Sequence, residues 1–167
     1  IDPNTTCETL RACLRVMSDW SRRNPQHQPI IVLLEVKEVG RGDAELVEAL
    51  EEALRDTWGI GRVFTPHLVQ RQHPTLRAGL EAEGWPTLGA TRGRILAVLH
   101  AGGALREALV GSSGDLGDRL LFPDAYGDLE APFAAYHSIN DPISSFDLIE
   151  RVVRAGHVVR TRSDVDG

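Results

Sequence analysis

Lysine is almost absent from this 167-residue sequence. Lys37 is the only lysine among 18 basic residues, and 24 acidic residues bring the net charge to -6. No surplus of positive charge is available to neutralise a phosphate backbone, so the composition argues against a nucleic-acid partner. The lone lysine stands at the end of the most apolar segment, where solubility does not explain it. The arginine bias suits phosphate recognition, but a GC-rich genome produces the same bias, and we favour that simpler explanation.

The sequence also lacks a long apolar run and an N-terminal leader. No stretch approaches the ~20 apolar residues of a membrane span. Neither an initiator methionine nor a basic-then-apolar leader is present, so we expect a mature product, an excised domain or a fragment. Cysteine is limited to Cys7 and Cys13, which is compatible with a secreted protein. In one regular helix their Cα atoms would lie about 9 Å apart, too far for a disulfide. A bridge therefore requires the helix to begin after Cys7, and the sequence leaves bridged and free thiols equally open.

The segment of residues 30–38 is the most informative part of the chain. It is an apolar, β-branched run of strand length that ends in Glu35, Lys37 and Glu38. Such a run predicts a strand buried on both faces. Because side chains alternate along a strand, Glu35 and Lys37 share one face. A charged pair at the carboxyl end of a buried strand is where parallel α/β sheets keep their functional residues.

Helices and strands are predicted to alternate along a single domain spanning residues 1–167. A capping box at Thr5–Glu8 predicts the start of the first helix, and Asp141–Pro142 the start of the last. A long surface loop insertion is expected over residues 101–132, with one short helical piece near residues 105–109. Strands are predicted over residues 30–38, 62–65, 94–100, 133–137 and 157–162.

This alternation indicates an α/β fold with parallel strands and right-handed crossovers. No glycine-rich phosphate loop follows a strand, which argues against a nucleotide-binding sheet. Charged and polar residues end several strands instead, and this pattern favours a (β/α)8 TIM barrel. A whole barrel typically needs about 250 residues, so the prediction is a partial barrel.

Three groups of residues carry a resemblance to a known family. They are residues 24–37 (Asn-Pro-x-His-x-Pro-Ile-Ile-Val-x-Leu-Glu-x-Lys), the segments Val63–Pro66 and Gly84–Arg94, and the late strand His157–Asp166. In this order they resemble the secreted, calcium-dependent phosphatidylinositol-specific phospholipases C of the PLC-like phosphodiesterase barrel superfamily. The resemblance implies a phosphoric diester hydrolase or lyase that uses the neighbouring inositol hydroxyl as nucleophile. Two histidines would act as general base and acid, and a divalent ion would steady the phosphate.

The resemblance also implies that the catalytic machinery is incomplete here. In the family both catalytic histidines follow the first two strands, and this chain aligns from the helix after the second strand to the seventh strand. The general acid and base are therefore expected from outside the chain, upstream of Ile1. Glu35 matches the acidic metal ligand at the end of the third strand, with Ca²⁺ as the expected ion and Mg²⁺ as the alternative.

Further site residues are predicted from their places at strand ends. Lys37 lies about 7 Å beyond Glu35 along the strand, within reach of a phosphate or inositol oxygen. We predict that His100, Asn140 and Arg162 also bind substrate. An ion pair of Arg162 with Glu35 or Asp164 is the structural alternative.

Two other functions remain open at this stage. One is a catalytically inactive barrel that binds a phosphorylated polyol or glycan. The other is a magnesium-dependent glycerophosphodiester phosphodiesterase, which would share the Glu-x-Lys strand end. The expected partners are a phospholipid or other phosphodiester substrate, a transiently contacted membrane surface, and the remainder of the barrel from the parent protein or another chain. We expect a secreted, extracellular protein.

Overall fold

The computed structural model of the protein describes residues 6–36 and 42–164. The α-helices are Leu10–Arg23 (α1), Asp43–Trp58 (α2), His67–Gln70 (α3), Leu76–Glu83 (α4), Leu88–Thr91 (α5), Gly103–Val110 (α6) and Phe146–Arg154 (α7). The strands are Ile30–Glu35 (β1), Ile95–His100 (β2), Leu121–Pro123 (β3), Tyr136–Ser138 (β4) and Val158–Arg160 (β5). A 3₁₀ turn occupies Ile60–Arg62. None of the described helices combines the length and apolar composition that crossing a membrane requires.

The five strands form an arc in which every described pairing is parallel. β1, β2 and β3 are neighbours in that order, and β4 pairs with β5. A parallel bridge between Asp124 and Tyr136 connects the two groups. Helices connect β1 to β2, β2 to β3 and β4 to β5, as parallel pairing favours, whereas a helix-free segment joins β3 to β4. This arrangement confirms the α/β class and the partial barrel predicted from the sequence.

Two apolar clusters pack on opposite faces of the arc. On the outer face, Ile95, Ala97 and Leu99 of β2 join apolar residues of α1, α2 and α6. On the inner face, Leu96 and Val98 pack in the cluster that holds Phe122 and Tyr136. Because β2 is buried on both faces, its sequence is an unbroken apolar run rather than an alternating one. The same alternation fixes which polar residues at the strand ends face the inside.

Two predicted elements need correction. Residues 62–65 do not form a strand: a 3₁₀ turn ends at Arg62, and Val63 makes a single parallel bridge to Ile95. Residues 101–132 are not a loop insertion, because they contain α6 and the fully buried β3. The predicted helical piece near residues 105–109 is confirmed as part of α6. β3 has only three residues, too few for periodicity to reveal it.

The first and last helices begin later than predicted. Thr9, rather than Thr5, is the N-cap of α1, and its side chain accepts a hydrogen bond from the Ala12 N–H. The helix thus starts after Cys7, which brings the Cα atoms of Cys7 and Cys13 to 5.4 Å and allows the disulfide that the structure contains. Asp141 accepts hydrogen bonds from the N–H groups of Ile143 and Ser144 in the turn that precedes α7.

Candidate functional site

Three polar residues form a row at the carboxyl ends of β1, β2 and β3. Glu35 and His100 are opposite each other in the parallel register, and both end their strands. Val98 pairs with Phe122 on the inner face, so two residues further on His100 and Asp124 share that face. We call Glu35, His100 and Asp124, together with Tyr126 and Arg106, the carboxyl-end cluster.

Asp124 is the anchor of this cluster. Its side chain is fully buried, and both oxygens accept hydrogen bonds. Oδ1 accepts from the backbone N–H groups of Tyr126 and Ser138, each at 2.9 Å. Oδ2 lies 2.7 Å from Nδ1 of His100. A buried carboxylate needs this degree of compensation, and the contacts hold it in one orientation.

The contact with Asp124 decides which nitrogen of His100 is free. An aspartate carboxylate accepts, so Nδ1 of His100 carries the proton and donates it. In neutral His100, Nε2 is then an unprotonated acceptor, and 17% of the side chain remains exposed. An imidazole held by a buried carboxylate, with its second nitrogen accessible, is oriented to accept a hydrogen bond or a proton from a ligand hydroxyl.

Tyr126 and Arg106 flank the histidine. The rings of Tyr126 and His100 have centroids 5.0 Å apart, and the Tyr126 backbone adopts a left-handed conformation with φ 48°. The Arg106 guanidinium lies over the rings of Tyr126 and Phe133, at 6.0 and 5.4 Å. Burial raises the pKa of the Tyr126 hydroxyl, and the negative charges of Asp124 and Glu35 act in the same direction. The phenol is thus a hydrogen-bond donor at neutral pH.

Asn140 and Arg162 are neighbours beyond the ends of β4 and β5, where the Arg162 N–H donates to the Asn140 carbonyl at 3.4 Å. Asn140 Oδ1 accepts a hydrogen bond from Arg160 at the end of β5. Arg162 instead forms a two-pronged ion pair with Asp164, at 2.9 Å for both contacts, which is the structural alternative noted from the sequence. This pairing raises the pKa of Arg162 and lowers that of Asp164. Lys37 lies outside the described residues.

His137 and His157 form a second polar pair, on the outer face of β4 and β5. Their nearest nitrogens are 2.8 Å apart, and both side chains are buried. Nδ1 of His137 accepts the Gly127 N–H at 3.0 Å, so its Nε2 carries the proton and donates to His157. Burial, with the neighbouring His157 second, lowers the pKa of His137 to about 4.

The described residues do not form a complete metal site. No group of three or more His, Cys, Asp or Glu side chains within residues 6–36 and 42–164 is arranged to hold an ion. Asp124 is fully buried, and its oxygens already accept hydrogen bonds from His100, Tyr126 and Ser138. Calcium usually takes six to eight oxygen ligands. Glu35, exposed at the mouth, therefore fits as one contributor to a calcium site and not as the site itself.

Sequence reasoning missed Asp124, Tyr126 and Arg106. All three lie in the segment that was predicted to be a surface loop. The apolar triplet Leu120–Phe122 followed by Pro123 and Asp124 is the one signal that indicates a short buried strand with an acidic end. Without the register to β2, nothing in the sequence connects Asp124 to His100.

Comparison with known proteins gives a consistent result. Residues 1–167 match the model of a family described as phosphoinositide phospholipase C, Ca²⁺-dependent. No curated protein sequence reaches significant similarity to the chain.

Solved structures that share the fold include two bacterial enzymes. One is a calcium-dependent phosphoinositol-specific phospholipase C from a Gram-negative bacterium, Pseudomonas sp., described as a myoinositol complex, with a TM-score of 0.74, 19% identity and 96% of this chain covered. The other is a Ca²⁺-dependent phosphatidylinositol-specific phospholipase C from Streptomyces antibioticus, with a TM-score of 0.60, 17% identity and 97% coverage. The chain spans 61% of the Pseudomonas protein and 72% of the Streptomyces protein.

Proposed function

The chain belongs to the family of Ca²⁺-dependent phosphoinositide phospholipases C, and from that premise we propose that it forms the substrate-binding part of a phosphodiesterase acting on phosphatidylinositol-type lipids. The observation that carries the proposal is the row of Glu35, His100 and Asp124 at the carboxyl ends of three parallel strands. That end of a TIM barrel is where active sites are built.

His100 is proposed to receive a hydroxyl of the inositol ring. Its Nε2 is the accessible acceptor, and Asp124 fixes the ring and stabilises the imidazolium if a proton arrives. The Tyr126 hydroxyl and the Arg106 guanidinium supply donors beside it for phosphate oxygens. Lys37, Asn140 and Arg162 remain predicted substrate ligands. The histidines of the general acid–base steps are proposed to come from outside this chain.

Glu35 is proposed as one ligand of a calcium ion. A bound calcium would neutralise charge that develops on the phosphate. The carboxylate of Glu35 is an oxygen donor of the kind that calcium prefers. It ends β1 opposite His100, so an ion at Glu35 would lie beside the proposed position of the substrate.

Two features support a secreted protein that touches a membrane surface. The Cys7–Cys13 disulfide is typical of oxidising compartments outside the cytosol. Ile143 and Phe146, which follow β4 on the carboxyl-end side of the arc, are each 64% exposed. Apolar side chains near an active-site mouth suit insertion into a lipid interface.

The membrane contact is tested by cosedimentation with vesicles that contain phosphatidylinositol. We expect Phe146→Ser to weaken binding. The matched control is Val16→Ser, which changes an apolar residue that is 67% exposed on α1. Equal binding by the two variants and the unmodified protein would contradict a role for Phe146.

The activity is tested by release of water-soluble inositol phosphates from phosphatidylinositol, with calcium or with a chelator. Because the chain spans only part of its structural relatives, the assay uses both this chain and the full-length product of its gene. In the full-length protein we expect His100→Gln and Glu35→Gln to lower turnover by about 10²-fold or more. The exposed His67 provides the control, His67→Gln, with unchanged turnover.

Other outcomes separate the alternatives. Myo-inositol phosphate binding without turnover would indicate an inactive, ligand-binding barrel. Cleavage of glycerophosphodiesters with Mg²⁺, but not of phosphatidylinositol with Ca²⁺, would indicate a glycerophosphodiester phosphodiesterase.

A further inference from the structure

Four arginines converge on one cleft at the opposite end of the strands from the carboxyl-end cluster. The cleft has a volume of about 420 Å³, and Arg22, Arg62, Arg92 and Arg94 are four of its eight lining residues. Arg94 immediately precedes β2, and Arg62 immediately precedes Val63, which bridges to the first residue of that strand. The six residues of β2 therefore place the cleft roughly 17 Å from His100.

The positive charge in this cleft lacks a carboxylate to balance it. Within the described part of the chain, none of the eight lining residues is acidic, and Arg62, Arg92 and Arg94 make no ion pair. Arg22 has one partner, Asp19, at 3.8 Å, and both side chains are mostly exposed. Burial lowers the pKa of Arg62, and the positive charge of Arg22 lowers it further. Grouping cations without a counterion is electrostatically unfavourable, so repulsion among these arginines destabilises the free protein.

The guanidinium of Arg62 is held in place for a ligand. Arg62 stacks on the buried indole of Trp58 at 5.1 Å. Its Nη2 donates to Ser21 Oγ and, at 3.4 Å, to the Gly93 carbonyl. The other terminal nitrogen, Nη1, is buried and has no hydrogen-bond partner in residues 6–36 and 42–164. The stacking and the Nη2 contacts fix the position of the guanidinium at the wall of the cleft.

Backbone packing and hydrogen bonds to backbone carbonyls fix the shape of the cleft. Gly93 has φ +72°, and a Cβ there would lie 2.7 Å from the Pro25 carbonyl oxygen, so only glycine fits. Arg92 donates to the Gln26 carbonyl and Arg94 to the Val63 carbonyl. Each of these contacts uses one terminal nitrogen of a guanidinium. Because a guanidinium has five N–H donors, each arginine keeps further donors for a ligand.

We propose that this cleft binds a phosphoryl dianion, either inorganic phosphate or a phosphomonoester on a solute or a lipid headgroup. A dianion with three or more acceptor oxygens matches several convergent guanidinium forks, which bind such oxygens bidentately. It neutralises the charge that Arg22 and Arg62 impose on each other. The site is separate from the carboxyl-end cluster and does not depend on the proposed phosphodiesterase activity.

The test compares two double variants of equal net charge. Arg22→Gln/Arg92→Gln removes two guanidiniums from the cleft, whereas Arg15→Gln/Arg23→Gln removes two exposed arginines of α1 that do not line it. Isothermal titration calorimetry with inorganic phosphate measures binding of a phosphoryl group on a soluble ligand. Cosedimentation with phosphatidylcholine vesicles, with and without phosphatidic acid, covers the lipid source.

We expect saturable binding of phosphate, or of the phosphatidic acid vesicles, that weakens at least tenfold in the cleft variant and less than twofold in the control. The single variant Arg22→Gln, at a mostly exposed position, should give an intermediate loss without any risk to folding. Phosphate should also raise the midpoint of thermal unfolding of the unmodified protein and of the control, and not of the cleft variant. Absence of binding to both probes, or equal losses in the two double variants, would overturn the proposal.

Discussion

At the scale of single residues, Asp124 sets the chemical state of His100. Its carboxylate accepts from His100 Nδ1 and from two backbone N–H groups, so the imidazole has one tautomer and one orientation. Nothing else among the described contacts of His100 would fix the proton on Nδ1. His100 therefore presents Nε2 as an acceptor only because Asp124 holds the proton on Nδ1.

Asp124→Asn should reverse the tautomer of His100. The amide –NH₂ would face Nδ1 and donate to it, which moves the ring proton to Nε2, while the amide oxygen keeps the two backbone N–H groups. Imidazole ¹⁵N chemical shifts measured at a pH where the ring is neutral should show Nε2 unprotonated in the unmodified protein and protonated in the variant. Identical shifts in both proteins would show that Asp124 does not control the ring.

His137 should make the protein less stable in mild acid. Its folded pKa of about 4 lies below the ordinary value of 6.5, so the unfolded chain binds more protons between these values. The stabilising contribution is present above pH 6.5 and is lost as the pH falls towards 4, on the order of 3 kcal/mol. Urea unfolding at intervals from pH 7.5 to 4 measures the slope.

Two histidine variants separate the contribution of His137 to the pH dependence of stability from that of other groups. His137→Asn removes the titrating group and keeps an acceptor for the Gly127 N–H, so the slope between pH 6.5 and 4 should decrease by up to ~1.4 kcal/mol per pH unit. His67→Asn, at an exposed position, should leave the slope as it is. An unchanged slope in His137→Asn would mean that other groups produce the acid sensitivity.

At the scale of elements, helix α4 depends on close approach to the end of α3. A Cβ at Gly79 would lie 2.5 Å from the Val69 carbonyl oxygen and 2.7 Å from the Gln70 Cα, both backbone atoms. α4 is otherwise a well-specified helix, with the Thr75 side chain accepting the Ala78 N–H and Gly84 ending it. The cap and the terminal glycine are local signals, whereas the contact at Gly79 is set by how α4 packs on α3.

Gly79→Ala should therefore destabilise the protein although alanine favours helix. Overpacking against rigid backbone typically costs about 1–3 kcal/mol, which outweighs the gain of up to ~1 kcal/mol in helix propensity. Gly89→Ala, in α5 with nothing within 4 Å of the added Cβ, should be neutral or stabilising. Chemical unfolding of both variants decides the point, and a stabilised Gly79→Ala variant would refute the packing argument.

At the scale of the whole molecule, the arc has open strand edges. Among the described residues β1 pairs only with β2, and β5 only with β4. Ile31 on β1 is 49% exposed and helps to line an apolar groove of about 330 Å³ with Phe64, Trp85 and Leu96. Open parallel edges and apolar grooves favour association. The missing partner is, in our proposal, the remainder of the barrel, from the parent protein or from another chain.

This chain alone should self-associate and show at most trace activity on phosphatidylinositol with calcium. Sedimentation velocity should detect species larger than the 18.3 kDa monomer, and Ile31→Lys should reduce them because a charge then lies on the open edge. Val16→Lys, at a position 67% exposed on α1, should not. A monomer with turnover comparable to an intact enzyme would contradict both parts of the prediction.

Features that depend on local sequence were predicted successfully, whereas features that depend on contacts between distant segments were not. The strands predicted over residues 30–38 and 94–100 correspond to Ile30–Glu35 and Ile95–His100 in the structure, because an apolar run of strand length is a local signal. The three-residue β3 was missed, and residues 62–65 were wrongly assigned as a strand, because short segments carry too little periodicity. Of the predicted site, Glu35 and His100 lie opposite each other in the structure, whereas Arg162 pairs with Asp164.

The sequence by itself determined the alternation of helices and strands, the parallel sheet, the face on which Glu35 lies and the family to which the chain belongs. Those properties depend on residue type and spacing within one segment. Only the tertiary structure decided that Asp124 orients His100 from 24 residues away and that four arginines from three separate segments share one cleft. The physical reason is that hydrogen bonds and charge interactions act over a few ångströms in space, and strand register, which no single segment encodes, brings distant residues within that range.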